Sequence, residues 1–319
     1  MSEKNINNVL TIAGSDSGGG AGIQADLKTF SALGVFGKTI ITSITSQNTL
    51  GVQSTYDLPT SVIGEQFQAI SADKKCRAVK IGMLGNEETV FLVSKMIKKN
   101  RLKNIVVDPI VSSSSGKSLL TRGGVKALKE MLLPLVSLVT PNIREAELLS
   151  GIKIKSLADR KRAARIISKT GVRAVLITGG HLKGNPDDLL LDEKGFQLFS
   201  SRRLSKLDVH GTGCVFSSAI AANLALGVSL RPAVKKSKEY ISESILGSIS
   251  SGNGNPCVEP FAVIFRQNEK IKSFFDLENA IKIFKKERIG NLIPEVQTNI
   301  GLGLRNAKGH DDVIAIPGR

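Results

Sequence analysis

The stretch Asp208 to Cys214 reads D-V-H-G-T-G-C and runs directly into the small, apolar segment Val215 to Leu226. Glycines at 211 and 213 allow a tight turn, so several backbone N–H groups at the start of the following helix can point at one place. These N–H groups and the positive end of the helix dipole favour an anion. The stretch therefore predicts a phosphate site at a helix N-terminus.

Cys214 falls in the first turn of that predicted helix. The field of the helix N-terminus favours thiolate over thiol there, which makes Cys214 a candidate proton acceptor. The same stretch also fits a glycine turn followed by a buried helix whose cysteine is inert packing. We therefore take Gly211, Thr212, Gly213 and Cys214 as candidate catalytic residues, with both alternatives open at this point.

The composition is that of a globular protein. The 319 residues are 41% hydrophobic with a mean hydropathy of +0.03, which suits one large α/β domain or two smaller ones. No apolar run reaches the ~18 residues that a membrane helix needs. The opening M-S-E-K-N-I-N-N lacks a signal pattern, so a cytoplasmic protein is expected.

The charge balance is basic, with 44 Lys and Arg against 28 Asp and Glu. Much of the excess lies on predicted helices that also carry core-facing Ile and Leu, and aromatic residues are only 4% of the chain. Solvated helix faces are therefore favoured over nucleic-acid binding. The three cysteines and three histidines show no ligand spacing, which disfavours a disulfide framework or a zinc site.

Short β-branched runs alternate with helical stretches along the chain. The predicted strand and helix pairs are 9–13 with 23–33, 39–45 with 62–71, 78–82 with 87–99, 105–108 with 123–133, and 135–140 with 144–149; strand 174–178 precedes a hairpin at 189–198. This alternation predicts an α/β fold with a mainly parallel sheet covered by helices on both faces. Ligands of such sheets gather at the carboxyl ends of the strands.

Two familiar phosphate motifs fail on this chain. Gly20 to Ala25 fits G-x-G-x-x-A, but no acidic residue lies between Asp26 and Asp57 to bind a ribose. The segment S-S-S-S-G-K-S at 112–118 imitates a P-loop, but Val111 stands where the first glycine is required. Neither a dinucleotide fold nor a Walker motif is indicated.

Seven motifs occur in a specific order: A-G-S-D-S-G-G-G-A-G-I-Q-A-D, T-S-Q-N-T-L-G-V-Q, K-I-G-M-L, V-V-D-P, T-P-N-x-x-E-A, I-T-G-G-H and H-G-T-G-C. Together they resemble hydroxymethylpyrimidine and phosphomethylpyrimidine kinase of thiamine biosynthesis, a family of the ribokinase-like superfamily. The resemblance covers roughly residues 8–260. It implies a three-layer α/β/α ribokinase-like fold with a mainly parallel central sheet.

The resemblance implies a kinase that transfers the γ-phosphate of ATP to 4-amino-5-hydroxymethyl-2-methylpyrimidine and then to its monophosphate. Asp26 and Gln47 would bind the aminopyrimidine ring by hydrogen bonds, because a carboxylate accepts from an amine and an amide both donates and accepts. Without the motifs, Asp26 would read as a solvated helix residue and Gln47 as a loop residue. The implied pocket walls are Gly14, Thr45, Met83 and Ile110.

The implied magnesium and nucleotide site lies farther along the chain. Asp108 and Glu145 would place Mg²⁺, which keeps its waters and suits carboxylates with few fixed ligands. Asn142 would help at the nucleotide, although Asn142 and Glu145 also fit a helix cap with a capping box, and both roles can hold together. The other implied nucleotide contacts are Thr178, where many relatives carry lysine, and Gly179, Gly180, His181 and Asp208. Cys214 takes the place of an aspartate base in related sugar kinases.

The resemblance divides the chain into a kinase domain at 1–260 and an extension at 261–319. The extension resembles the start of a thiamine-phosphate synthase domain, and we expect it to be incomplete and without synthase activity. As partners we expect the pyrimidine substrate and a second copy of the chain in a homodimer, with no nucleic acid and no membrane. A pyridoxal-type kinase and a thiamine-linked ligand sensor stay open as alternatives.

Overall fold

The computed structural model describes residues 6–73, 75–113, 116–180, 185–204 and 209–267. The predicted His181 and Asp208 lie outside these residues. The strands are β1 (Asn8–Asp16), β2 (Phe36–Asn48), β3 (Gly51–Asp57), β4 (Ala78–Ile81), β5 (Ile105–Val107), β6 (Leu138–Val139), β7 (Val175–Ile177), β8 (Asp188–Asp192) and β9 (Gly195–Phe199). The helices are α1 (Gly22–Ala32), α2 (Thr60–Ser71), α3 (Glu87–Asn100), α4 (Arg122–Ala127), α5 (Ile143–Ser150), α6 (Leu157–Ser168), α7 (Thr212–Ala225), α8 (Leu230–Leu246) and α9 (Ala262–Gln267).

The described strands form one sheet in the order β3-β2-β1-β4-β5-β6-β7-β8-β9. The run from β2 to β7 is parallel, whereas β3, β8 and β9 pair antiparallel at the two edges. Every residue of β4, β5, β6 and β7 is buried. Such continuous burial is typical of parallel strands that carry helices on both faces.

Two apolar clusters confirm the three layers. One face of the sheet packs against α2, α3, α5 and α6, through side chains such as Phe67, Val93 and Ile167. The other face packs against α1, α7 and α8, through side chains such as Phe30, Ile220 and Ile241. The predicted α/β/α fold with a mainly parallel sheet is therefore confirmed.

Polar caps fix where several helices begin. The side chain of Asn86 accepts a hydrogen bond from the Thr89 N–H at the start of α3, and Ser156 with Asp159 forms a capping box at α6. Helix α7 differs, because it begins after Gly211 in the left-handed region and has no side-chain cap. The first N–H groups of α7 therefore donate to no side-chain cap and can donate hydrogen bonds to another group.

The fold departs from the sequence-based prediction in two places. Strand β3 was not predicted, and the helix predicted over 123–133 is α4 followed by a π turn at Leu128–Leu132 and a 3₁₀ turn at Leu133–Leu135. The chain divides into two units, Met1–Val263 and Ile264–Arg319, and every strand of the described residues belongs to the first. Among the described helices, none is both long and apolar enough to cross a membrane.

Candidate active site

A cavity of about 470 Å³ opens at the carboxyl ends of the parallel strands, beside the start of α7. Most residues predicted for the site line it, although they are scattered along more than 200 positions of the sequence. Those that do are Gly14, Thr45, Gln47, Met83, Asp108, Ile110, Asn142, Glu145, Thr178, Gly180, Gly211, Thr212, Gly213 and Cys214. Parallel strands place their carboxyl ends at one edge of the sheet, which is why distant motifs meet.

The start of α7 forms one wall of the cavity, and we call residues 211–214 the cradle. Gly211 has a φ of +86°, and a Cβ at this position would collide with the carbonyl oxygen of Gly20. The Val215 N–H donates to the Gly211 carbonyl and so begins the helical pattern. The N–H groups of residues 211–214 precede that pattern and lie at the cavity. The cradle therefore has the geometry of an anion site.

Cys214 contradicts the prediction of a favoured thiolate. Burial raises the pKa of Cys214 to about 12, although the positive charge of Lys80 and the N–H of Gly22 act in the opposite direction. The reason is that the thiol is only 7% exposed and lies among Val215, Phe216 and other apolar residues, which solvate a thiolate poorly. In the protein as described, Cys214 is a thiol at neutral pH.

Two buried carboxylates, Asp108 and Glu145, line the same cavity as the cradle. Oδ2 of Asp108 lies 3.4 Å from the position that a Cβ on Gly213 would occupy, and 3.4 Å from the Ser217 hydroxyl oxygen. Glu145 closes the predicted capping box with Asn142 and accepts hydrogen bonds from the N–H groups of Asn142 and Val111. Burial raises the pKa of both carboxyls. The negative charge of Asp26 adds to the rise at Asp108, where Lys80 opposes it, and the charge of Asp108 adds to the rise at Glu145.

These two carboxylates fit a magnesium ion. The described residues contain no cluster of three or more His, Cys, Asp or Glu side chains that would hold a metal by themselves. Mg²⁺ keeps several waters and is usually bound by one or two carboxylates together with substrate phosphates. Asp108 and Glu145, whose pKa values are raised by burial, are a donor set of that kind.

We expect the stability of the ligand-free protein to fall as pH rises above the ordinary carboxyl range. A carboxyl group with a raised pKa in the folded state binds its proton more tightly there than in the unfolded state. Its contribution to the free energy of unfolding is complete at pH values below the unfolded-state pKa of ~4. That contribution is lost as the pH rises through the raised pKa values of Asp108 and Glu145. Melting temperatures measured from about pH 5 to about pH 8.5 should fall by a few degrees, and Mg²⁺ should reverse part of the fall.

The variant Asp108→Asn tests the cause of that slope. It removes one of the two buried carboxyls, so the fall with pH should become shallower and the response to Mg²⁺ should weaken. Asp57→Asn, on β3 and outside the cavity lining, is the matched control and should keep the wild-type slope. A wild-type slope and Mg²⁺ response in Asp108→Asn would contradict the assignment.

One part of the cavity wall suits a small ring. Met83 and Ile110 present apolar surface there, and a Cβ on Gly14 would lie 3.1 Å from the Met83 sulfur. The Gln47 amide nitrogen lies 2.8 Å from Nε2 of His210, to which it can donate a hydrogen bond. An apolar slot with one amide is a common arrangement for binding a ring in a fixed orientation.

Asp26 does not line the cavity, and the predicted contact between Asp26 and the ring is wrong for this structure. Its carboxylate is fully buried and bonds to Thr11, Lys80 and Ser218. Gly179 is also absent from the cavity wall, because its N–H donates to Asp188 and its Cα lies against the Asp187 backbone. The nucleotide contact predicted for Gly179 is therefore not seen, and Gly179 instead allows the close approach of two chain segments.

Two residues of the cavity wall, Asp16 and His210, were given no role in the sequence analysis. Asp16, at the end of β1, accepts hydrogen bonds from the N–H groups of Gly18, Gly20 and Ala21 and so shapes the glycine loop. Burial acts to raise its pKa, but these bonds and the neighbouring His210 lower the pKa below its ordinary value. The signals were present in the sequence, since both residues belong to motifs quoted above.

Comparison with known proteins decides the family. Residues 16–259 match the family described as phosphomethylpyrimidine kinase. The chain belongs to this family. A hydroxymethylpyrimidine/phosphomethylpyrimidine kinase from Haemophilus influenzae is 43% identical over 257 residues, which cover 79% of this chain and 95% of the relative. The family and the kinase activity predicted from the motifs are thus confirmed.

Some relatives are longer than this chain. The thiamine biosynthesis bifunctional protein of Geobacter sulfurreducens is 44% identical over 248 residues, or 77% of this chain, which spans only about half of that relative (51%). Residues 276–319 match a second family, the thiamine-phosphate synthase ThiN, as the extension was predicted to do. That match lies outside the described residues, and the boundary predicted at 260 stays a prediction.

Solved structures agree with the family assignment. Phosphomethylpyrimidine kinase from Clostridium difficile is 45% identical with a TM-score of 0.68, and the match covers 75% of this chain and 99% of that chain. An ADP complex of Bacillus subtilis pyridoxal kinase is 35% identical with a TM-score of 0.76, covering 81% and 99%. The kinase fold of this chain is therefore shared with enzymes that act on two kinds of ring.

Proposed function

We propose that this kinase transfers the γ-phosphate of ATP to 4-amino-5-hydroxymethyl-2-methylpyrimidine and then to its monophosphate, giving the pyrimidine diphosphate used in thiamine biosynthesis. One observation carries the proposal: a single cavity joins the cradle, the carboxylates of Asp108 and Glu145, and the slot beside Gln47 and Met83. A hydroxymethyl group on a ring in that slot would face a phosphate at the cradle.

Each part of the cavity has a chemical task in this proposal. The cradle N–H groups stabilise the negative charge that develops on the transferred phosphoryl group. Bound Mg²⁺, held by Asp108, Glu145 and phosphate oxygens, would neutralise further charge on the nucleotide. Thr178 and Gly180 line the side on which we place ATP, and Arg144 lies beside Glu145. The other predicted nucleotide contacts, His181 and Asp208, lie outside the described residues. Gln47 orients the ring by hydrogen bonding.

The two phosphoryl transfers place different demands on the protein. In the first, the substrate hydroxyl must lose its proton as it attacks, and we assign as its acceptor the thiolate form of Cys214, which the raised pKa keeps to a small fraction at neutral pH. In the second, the nucleophile is a phosphate oxygen that is already ionised at neutral pH. The second step therefore depends mainly on positioning and on charge neutralisation.

A second candidate substrate is pyridoxal, because the similar Bacillus subtilis protein is a pyridoxal kinase. The test is the ratio of kcat/KM for the two ring substrates under the same ATP concentration. We expect the aminopyrimidine to be preferred by at least about tenfold, because a buried amide left without its partner disfavours the wrong ring. Equal or higher kcat/KM with pyridoxal would overturn the choice of substrate.

The remaining expectations stay predictions. They are the homodimer, the cytoplasmic location, the absence of nucleic-acid and membrane partners, and the absence of synthase activity in the extension. The basic side chains Lys95, Lys98, Lys99, Arg162 and Arg165 lie exposed on α3 and α6, as solvated helix faces would require. A sensor without ATP turnover is disfavoured by the family assignment.

A further inference from the structure

A buried ionic network lies beneath the cradle, and we call its four residues Thr11, Asp26, Lys80 and Ser218 the buried network. None of the four has exposed surface. They come from four different elements, namely β1, α1, β4 and α7. Thr11 and Lys80 face one another across the β1 and β4 pairing, and the helices α1 and α7 cover that face of the sheet. The buried network thus joins the elements that carry the glycine loop and the cradle.

The Asp26 carboxylate is completely occupied by these partners. Its Oδ2 accepts from the Thr11 hydroxyl at 2.6 Å and from the Lys80 ammonium at 2.9 Å. Its Oδ1 accepts from the Ser218 hydroxyl at 2.7 Å and lies 2.8 Å from the same ammonium. A buried ion pair stabilises a fold weakly, because desolvation offsets most of the attraction. Stability of the fold alone therefore does not explain the presence of the ion pair between Lys80 and Asp26.

The ammonium of Lys80 lies behind the cavity wall. A Cβ on Gly82 would lie 2.9 Å from Lys80 Nζ and 3.0 Å from the Cβ of Ala13, a residue of the cavity wall. Glycine at 82 therefore leaves the space that the ammonium fills. Ser218 lies one helical turn after Cys214, so both side chains project from the same side of α7. The charged end of the buried network is close under the cradle.

The charges around Cys214 act in opposite directions. Lys80, from β4, favours the thiolate, whereas Asp26 from α1 and Asp108 after β5 disfavour it. The N–H of Gly22, at the start of α1, also favours the thiolate. Burial lowers the affinity of Lys80 for its proton, but the negative charges around it prevail and raise the pKa of Lys80 above its ordinary value. The cation is therefore permanent at any physiological pH.

We propose that Lys80 and Asp26 are positioning residues of the phosphoryl transfer, which act through Cys214 and the cradle rather than by touching substrate. Lys80 supplies a fixed positive charge under the cradle. Asp26 holds the Lys80 ammonium in place, and its negative charge offsets part of the electrostatic effect of Lys80 on Cys214. The kinetic part of this inference rests on the proposed kinase function. The electrostatic part does not rest on that function, because Lys80 and Asp26 affect the ionisation of Cys214 whether or not a substrate is bound.

The test is the rate at which iodoacetamide alkylates Cys214 as a function of pH, with the modified peptide measured by mass spectrometry so that Cys76 and Cys257 do not interfere. Asp26→Asn leaves Lys80 without its counter-charge and should move the alkylation profile to lower pH by about one unit. Lys80→Met should move it to higher pH by about one unit. Arg231→Met, which removes a cation paired with Asp192 outside the cavity lining, should leave it unchanged.

The opposite signs separate an electrostatic role from a structural one. If Lys80 and Asp26 only hold the fold together, both variants would loosen the site and move the profile in the same direction, which would overturn the inference. Either single variant leaves one buried charge unpaired and could fail to fold. The double variant Lys80→Met/Asp26→Asn has neither charge, and we expect its profile between those of wild type and Lys80→Met. A double variant identical to wild type would also overturn the inference.

The kinetic readout is the first phosphoryl transfer. In the double variant, kcat for the hydroxymethyl substrate should fall about tenfold or more, while KM for ATP stays near that of wild type. If the wild-type protein releases no ADP with this substrate, the proposed function fails, whereas the alkylation profiles still decide the electrostatic inference. If the wild type is active and kcat of the double variant is unchanged, the inference fails and the function stands.

Discussion

Gly211→Ala is expected to lower kcat of both phosphoryl transfers by about 10²-fold or more. The new methyl group would meet the Gly20 carbonyl oxygen, and the backbone would be held at a φ of +86° that side chains with a Cβ rarely adopt. Relief of that clash must move the first residues of α7 away from the glycine loop. The N–H groups of the cradle would then no longer point at the transferred phosphoryl group.

Gly227→Ala is the matched control for this variant. Gly227 has the same φ of +86°, but no atom lies within 4 Å of the position of its added Cβ. It should therefore lose about 1 kcal/mol of stability through backbone strain and keep the wild-type kcat. The measurement is steady-state kcat for both substrates together with the melting temperature of each variant. Equal kcat in the two variants would contradict the assignment of the cradle.

Cys214→Ala is expected to slow the first phosphoryl transfer by about 10²-fold or more and the second by much less. General-base assistance is worth about 10²–10⁴-fold when a hydroxyl proton must be removed. The phosphate nucleophile of the second step has little need of a base. Separate assays that start from the hydroxymethylpyrimidine and from its monophosphate measure the two effects.

The pH dependence of the first step follows from the raised pKa of Cys214, which is about 12. The thiolate fraction increases tenfold per pH unit below that pKa, so the wild-type rate should rise with pH from about 7 to about 9. Cys214→Ala should remove this rise. The second step should show little of it in either protein. Equal losses in the two steps would contradict the assignment of Cys214 as the proton acceptor.

Most of the fold was predictable because its signals are local. The parallel strands β5 and β7 are continuous apolar runs, β4 is apolar except for Lys80, and the helices between them carry periodic apolar residues. Strand β3 was missed because most of its residues, Gln53 to Asp57 among them, are exposed and show no apolar alternation. Pairing with β2, rather than burial, makes this segment a strand.

The site was predictable as a set of residues but less so as chemistry. The ordered motifs predicted Gln47, Asp108 and Cys214 as site residues. These residues line one cavity because the sheet topology places the carboxyl ends of the strands together. The environment of a side chain is set by distant residues, which a local pattern does not specify. Asp26 therefore turned out to bind Lys80, 54 positions away, and burial outweighed the helix field at Cys214.

The most direct test of the account is the amount of ADP released per hydroxymethylpyrimidine when ATP and Mg²⁺ are in excess. A cavity that phosphorylates the hydroxymethyl group and then its monophosphate predicts two ADP per pyrimidine, and neither should appear promptly with Gly211→Ala. No ADP release from the wild-type protein, or wild-type release from Gly211→Ala, would contradict the claim that the cradle of α7 carries out phosphoryl transfer to this ring.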